Sequence, residues 1–155
     1  MPIYNIVLNS LNQASGGTNA NASYYYDWSV LQQGKYKMTF SYQGGANNIS
    51  ASRFATIGID LGQSKTFTTS STSTTALSSR IVGILSPSFL AVASSLVSNI
   101  STNSPVYLNA VPTNNTFSVN VSNPDASAYT DSAGAVNASY ILIICLELLT
   151  PNHQF

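Results

Sequence analysis

The sequence predicts an all-β protein: one antiparallel β-sandwich of about eight strands spanning residues 1–155. Ser and Thr number 39 and Asn 16, a composition poor in helix formers and suited to turns and polar strand faces. Several segments alternate apolar and polar residues with a period of two. No linker or internal repeat divides the chain, so we expect a single domain. A jelly roll, an immunoglobulin-like sandwich and another Greek-key sandwich all fit this pattern.

The predicted strands follow the alternating segments in chain order. They cover residues 3–8, 23–30, 35–42, 54–61, 81–85, 106–111, 116–121 and 139–148. In the second strand the apolar face is predicted to point inward, and it comprises Tyr24, Tyr26, Trp28 and Val30. In the third strand the inward residues are predicted to be Tyr36, Met38 and Phe40, opposite the first set across a hairpin.

Two hairpins are predicted from turn residues between neighbouring strands. Residues 31–34, Leu-Gln-Gln-Gly, separate the second and third strands. Residues 112–115, Pro-Thr-Asn-Asn, have turn chemistry between the strands at 106–111 and 116–121.

The last strand is apolar on both of its faces. This pattern is typical of a strand that is covered on both sides, so we expect it to be central or to be covered by a neighbouring subunit. It contains Cys145, the single cysteine. No disulfide can form within the chain, and we expect this thiol to be buried, reduced and unreactive.

Three segments rich in Gly, Asn, Ser or Thr, residues 13–21, 43–52 and 63–79, are predicted loops. The Ser/Thr run within the last of these fits a loop or a polar edge strand. Residues 86–100 stay open between a helix and a strand, because Ser86-Pro87 followed by apolar residues at helical spacing also fits a helix start.

Charged residues make up only 6% of the chain, five basic and five acidic, where soluble domains carry about 25%. Nucleic-acid binding requires a basic face, so the composition excludes it as a function. Residues 140–149 form the longest apolar stretch, about half the length of a membrane helix, and we expect no membrane insertion. The first residues show no charged leader and apolar run, so no signal peptide is predicted.

Residues that could carry catalysis are few. His153 is the only histidine and lies close to the end of the sequence, which disfavours a Ser-His-Asp or Cys-His arrangement. The acidic residues are scattered, without the clustering that metal sites need. They are Asp27, Asp60, Asp125, Asp131 and Glu147.

Two pairs of acids are candidate sites. Asp125 and Asp131 share one loop and could hold calcium weakly, although capping of turns is the more common role of such residues. Asp27 and Asp60 could form a glycosidase-like pair, but acids in strands are more often surface residues. We therefore expect no enzyme activity, no catalytic residues, no cofactor and no metal.

The aromatic cluster at residues 24–28 suggests a glycan contact made by Tyr25, Asp27 and Trp28. Tyr and Trp rings beside an acceptor carboxylate suit carbohydrate binding. Packing in the core or at a subunit interface is the favoured alternative for this cluster, because its alternation continues to Val30.

The segments IYNIVLNSLN, YYYDWSVLQQGKYKMTFSY, FATIGIDLG, YLNAVPTNNTFSVNVSN and SYILIICLELL, in this order, resemble the small single jelly-roll capsid proteins of large icosahedral double-stranded DNA viruses. The resemblance rests on the early strand ending in Leu8-Asn9-Ser10, the aromatic strand before a Gly-containing connection, and the apolar last strand. Residues 63–104 match least well. The resemblance favours a jelly roll among the sandwiches.

The resemblance implies a structural protein of the virion, synthesised and assembled in the host cytoplasm. Its expected role is a penton subunit that forms a homopentamer at the capsid vertices, or a minor capsid protein that contacts other capsid proteins. The scarcity of charge agrees with this expectation, because sides with few charged groups can be buried against copies of the chain at low cost. The alternative function is a carbohydrate-binding module for receptor or glycan attachment.

Overall fold

The computed structural model describes residues 1–14, 18, 21–44, 55–62, 67–69, 74–76, 81–85, 97–98, 100–101, 106–122 and 139–151. Within these residues the fold is all-β, as the sequence predicts. It contains two single-turn 3-10 segments, Ser10–Asn12 and Trp28–Val30, and no α-helix. No helix in this part of the chain is long and apolar enough to span a membrane.

Each of the eight predicted strands corresponds to a strand of the structure, and four short strands are added. The strands are β1 (Ile3–Asn9), β2 (Asn21–Tyr25), β3 (Gly34–Gly44), β4 (Ala55–Ile59), β5 (Phe67–Thr69), β6 (Thr74–Ala76), β7 (Ile81–Leu85), β8 (Val97–Ser98), β9 (Ile100–Ser101), β10 (Val106–Leu108), β11 (Thr116–Ser122) and β12 (Tyr140–Pro151).

The eight strands that the sequence predicts pair in order from the two ends of the chain towards its middle. β1 pairs with β12, β2 with β11, β3 with β10 and β4 with β7, always antiparallel. β12 also pairs with β3, and β11 with β4, which joins the four pairs into two sheets. Sheet A has the order β1-β12-β3-β10, and sheet B the order β2-β11-β4-β7. A long antiparallel hairpin rolled up in this way into two packed sheets is a jelly roll, which confirms the predicted fold class.

The short strands extend this framework. β8 pairs with β3 in sheet A and β9 with β7 in sheet B, whereas β5 and β6 form a separate hairpin within the Ser/Thr-rich segment. Within residues 86–100, for which the sequence allows a helix or a strand, β8 and Ile100 are strand. Residues 86–96 and 99, where the helix alternative begins, lie outside the described residues.

Both predicted hairpins are wrong. β2 and β3 lie in different sheets, and so do β10 and β11, so neither pair shares hydrogen bonds. Residues 26–33 and 109–115 instead cross from one sheet to the other. Alternation and turn residues locate a strand and its end, but they do not tell whether the next strand joins the same sheet.

The second predicted strand is also too long at its carboxyl end. β2 stops at Tyr25, and Trp28–Val30 form a 3-10 turn rather than strand. Asp27 caps this turn, because its Oδ1 accepts hydrogen bonds from the backbone N–H and the hydroxyl of Ser29 at 3.0 and 2.7 Å. Val30 consequently points to solvent instead of continuing the inward face.

The core lies between the two sheets. Tyr24, Trp28, Tyr36 and Met38 are buried in it, as predicted, whereas Tyr26 and Phe40 are half-buried and pack against its margin. Sheet A contributes the alternate residues of its long strand β12: Tyr140, Leu142, Ile144, Leu146 and Leu148. Sheet B contributes chiefly Ala22, Tyr24, Ile57, Ile59, Phe117, Val119 and Val121.

β12 is a central strand, paired with β1 on one side and β3 on the other. One of its faces is in the core, but the other is the outer face of sheet A. Cys145 lies on this outer face and is half-buried, so the expectation of a buried thiol is wrong. The two-sided apolar pattern therefore reflects a central strand whose second face is partly exposed.

Candidate functional site

One end of the sandwich collects the residues that the sequence singled out. We call it the proximal end: β2, β4, β10 and β12 end there, and β1, β3 and β11 begin there. The two inter-sheet connections, residues 26–33 and 109–115, meet at this end. Tyr26 N–H donates to the carbonyl of Asn115 at 2.8 Å, which ties one connection to the other.

Trp28 belongs to the core of the proximal end and is only 1% exposed. Its ring packs against Tyr26 and Phe117, with centroid distances of 4.8 and 5.7 Å. Its indole Nε1 donates to the carbonyl of Asn114 at 3.0 Å. The ring is thus enclosed, and it has no free face on which a sugar could stack.

The other two residues of the predicted glycan contact are on the surface. Tyr25 is 70% exposed on the outer face of sheet B, and its hydroxyl accepts a long hydrogen bond of 3.4 Å from Asn115 Nδ2. Asp27 is exposed, and its hydrogen bonds from the Ser29 hydroxyl and then the Ser29 N–H hold the pKa of the carboxyl below its usual value. Asp27 is therefore ionised at neutral pH and serves the local turn.

The other candidate catalytic acid, Asp60, follows β4 directly. Its Oδ1 accepts the backbone N–H of Ser118 at 2.7 Å, and its own N–H donates to the Ser118 carbonyl at 3.2 Å. This exchange fastens the end of β4 to β11. Asp27 thus caps its own turn and Asp60 joins the end of β4 to β11, which are structural roles rather than catalytic ones.

No group of three or more His, Cys, Asp or Glu side chains that could hold a metal ion occurs among the described residues. Asp125, Asp131 and His153 lie outside this part of the chain, so the calcium and triad alternatives that involve them are not addressed by the structure.

The outer face of sheet A carries an apolar surface, of which the two-sided apolar pattern of the last strand predicts the β12 part but not the β1 part. Ile3 and Val7 on β1 are 60% and 63% exposed, and Ile141 on β12 is also exposed. Val7 lies opposite the half-buried Ile143, and Ile141 lies opposite Asn9. We call Ile3, Val7 and Ile141 the sheet A patch. Alternation could have identified it, because Ile3, Asn5, Val7 and Asn9 share one face of β1, but one strand alone does not tell which face is buried.

The same outer face carries charge near the proximal end. Ile3 is in register with Glu147, and Glu147 with Lys37, so the three form one row across β1, β12 and β3. Lys35 is two residues away on the same face, with its Nζ 5.0 Å from the centre of the Tyr107 ring. Apolar and charged side chains are therefore adjacent on this surface.

Comparison with known proteins does not assign this chain to a family. No protein-family model matches this chain, and no curated protein matches its sequence.

Proposed function

We propose that the chain is a structural capsid protein of a large icosahedral double-stranded DNA virus. Its first role in this proposal is a penton subunit that forms a homopentamer at the vertices. A minor capsid protein that docks on other capsid proteins is the second form of the same proposal. In both forms the chain functions in the virion, after synthesis and assembly in the host cytoplasm.

The observation that carries the proposal is the exposed sheet A patch on a jelly roll with very little charge. Apolar side chains on the outer face of a sheet are costly to leave in water, and contact with another subunit removes them from it. The uncharged hydroxyl and amide side chains around them can be buried at low cost when they find hydrogen-bond partners. These properties suit a subunit that remains in contact with other subunits.

The absence of a catalytic constellation in the described residues is compatible with such a role, but does not carry it. Among the described acids, Asp27 accepts the backbone N–H of Ser29 in its own turn, and Asp60 accepts the backbone N–H of Ser118 on β11. The carbohydrate-binding alternative needs an exposed aromatic ring on which a sugar can stack, and Trp28 is enclosed in the core. Only Tyr25 offers an exposed ring in that cluster, so glycan binding is kept as an outcome of the test.

The test is the oligomeric state and particle shape of the purified protein. We expect light scattering to give the mass of a closed oligomer, with five copies for the penton, and negative-stain electron microscopy to show rings. Single copies that bind only to a larger capsid protein would support the minor capsid form. A strict monomer at high concentration that enters no capsid shell would refute both forms, and binding to a glycan array would then favour the carbohydrate-binding module.

A further inference from the structure

The charged side chains of the described residues are divided between the two faces of the sandwich. Lys35, Lys37 and Glu147 lie on the outer face of sheet A, near the proximal end. Asp27 and Asp60 lie on the sheet B side of the same end, after β2 and β4. Counted over these described side chains alone, the outer face of sheet A carries two basic groups and one acidic group, and the sheet B side carries two acidic groups.

Each of these sides also has exposed apolar surface. Ile3 is in the row of Lys37 and Glu147 on sheet A. Tyr25 is at the end of β2, two residues before Asp27, and points outward from sheet B. The two sides thus match in the two properties that govern contact, since apolar surface can meet apolar surface and basic groups can meet acidic ones.

We infer that the outer face of sheet A on one copy packs against the sheet B side of the next copy. The contact is head-to-tail in the sense that it joins two different faces of the chain, and both of these faces lie at the proximal end. This inference rests on the proposed function and names its subunit interface. Ile3 and Tyr25 provide the apolar centre of the contact. Lys35 and Lys37 face Asp27 and Asp60 of the adjoining copy.

The charges of the described residues favour this arrangement over contacts of a face with itself. Two sheet B sides would bring four aspartates together, so like charges oppose that contact, and two sheet A faces would bring four lysines together with only two glutamates. The head-to-tail contact pairs opposite charges instead. It uses two different surfaces of one chain, which is the type of interface that generates a ring when the rotation closes.

The position of both surfaces at one end of the sandwich also fits a ring. Every copy in a cyclic ring has the same orientation relative to the axis, so proximal ends lie beside proximal ends. Both surfaces of the proposed contact are at that end, as such an arrangement requires.

The test uses one variant on each surface. Ile3→Glu places a negative charge on the basic side, and Tyr25→Lys places a positive charge on the acidic side; both residues are exposed and lie on edge strands of their sheets. Leu11→Glu and Leu11→Lys are the matched controls. Leu11 is 75% exposed and follows β1 at the opposite end of the sandwich.

We expect each of Ile3→Glu and Tyr25→Lys to weaken association at least tenfold in analytical ultracentrifugation, with both Leu11 variants like the wild type. An equimolar mixture of the two variants should form 1:1 heterodimers, because each supplies the intact surface that the other lacks. Alkylation of Cys145, which lies on the same outer face, should slow as the wild-type protein associates. Raising the salt to 0.5 M should weaken association, because the charge pairs are at the surface.

Four results would overturn the inference. Loss of association in Ile3→Glu alone means that sheet A faces meet each other, and loss in Tyr25→Lys alone means that sheet B sides do. Wild-type association in both variants means that the oligomer uses another surface, and the proposed function then stands without this interface. A wild-type protein that stays monomeric and enters no shell refutes the proposed function itself, and the interface with it.

Discussion

At the scale of single residues, Trp28 anchors the proximal end. It is enclosed by Tyr26 and Phe117, and its indole N–H is bonded to Asn114. We expect Trp28→Ala to lower the free energy of unfolding by about 3–5 kcal/mol, because it removes a large buried ring and leaves a cavity. Urea denaturation measures this change.

Val30→Ala is the matched control for that variant, since Val30 is the exposed apolar residue of the same 3-10 turn. It should change the free energy of unfolding by less than about 0.5 kcal/mol. A loss below about 1 kcal/mol for Trp28→Ala would place the indole at the surface, and would make sugar stacking plausible again.

A buried pair of tyrosines links the sheets at the residue scale. The Tyr24 hydroxyl of β2 donates to the Tyr140 hydroxyl of β12 at 3.0 Å, and Tyr140 stacks on Tyr42 with a centroid distance of 5.4 Å. Burial raises the pKa of Tyr24, and burial together with the Tyr24 hydrogen bond raises the pKa of Tyr140. Both tyrosines therefore stay protonated in the fold when they would ionise in the unfolded chain.

This raised pKa predicts a loss of stability in alkali. The contribution of the pair is fully present below pH about 10 and falls as the pH rises above it, because only the unfolded chain then releases the protons. Each tyrosine can contribute a slope of about 1.4 kcal/mol per pH unit. Urea unfolding at pH 9, 10 and 11 measures the slope.

The double variant Tyr24→Phe, Tyr140→Phe should have a shallower slope than the wild type, since it has no hydroxyls to titrate at these positions. Tyr25→Phe, which removes an exposed hydroxyl, controls for tyrosine content. If the double variant lost stability with pH as steeply as the wild type, the pair would not be the source of the alkaline sensitivity.

At the scale of elements, alternation located the strands well. Burial on one face of a pleated strand leaves a period of two in the sequence, and this period marks β3 and β11 clearly. Pairing leaves no such mark, because backbone hydrogen bonds do not depend on side chains. The hairpins predicted at residues 31–34 and 112–115 fail for this reason, as each connection leads to the opposite sheet.

The end of β2 shows a second limit. Tyr24, Tyr26 and Trp28 continue the alternation, yet the chain leaves the strand after Tyr25. The signal for this turn is Asp27 followed by Ser29, an acceptor side chain two residues before its backbone donor. Such local capping outweighs the periodicity where the chain crosses between sheets.

Gly62 is required where β4 ends and the chain turns. Its φ is +79°, a left-handed conformation that costs other residues about 1–2 kcal/mol. An added Cβ would lie 2.7 Å from both Met38 Cε and Val106 Cγ1 on sheet A. We expect Gly62→Ala to lower the free energy of unfolding by about 2–4 kcal/mol, from backbone strain and overpacking together.

The combination of Gly62→Ala with Val106→Ala separates the two causes. Removal of the Val106 methyl groups makes room for the new Cβ. The double variant should therefore lose less unfolding free energy than the sum of the losses in the two single variants, and the part that remains for Gly62→Ala is the cost of the positive φ. Strict additivity in urea denaturation would show that the two side chains do not collide.

At the scale of the whole molecule, composition predicted a weakly charged exterior but not its arrangement. Lys35 and Lys37 share β3, but only the pairing of β12 with β3 brings Glu147 beside them, and only the rolled topology places Asp27 and Asp60 together after β2 and β4 of sheet B. The same holds for the apolar outer face of sheet A, because Val7 and Ile143 become neighbours only through the pairing of β1 with β12. Surfaces that join distant segments depend on this pairing.

The last prediction concerns closure of the assembly. Contacts between two different surfaces of one chain add subunits in one direction, and they stop only if the rotation at each contact returns to the start. For a penton that rotation is one fifth of a turn, so native mass spectrometry over a range of concentrations should show one species of five copies above the monomer. A ladder of all sizes, or filaments in electron microscopy, would mean that the contact does not close; the vertex role would then be excluded, while the head-to-tail contact itself would remain.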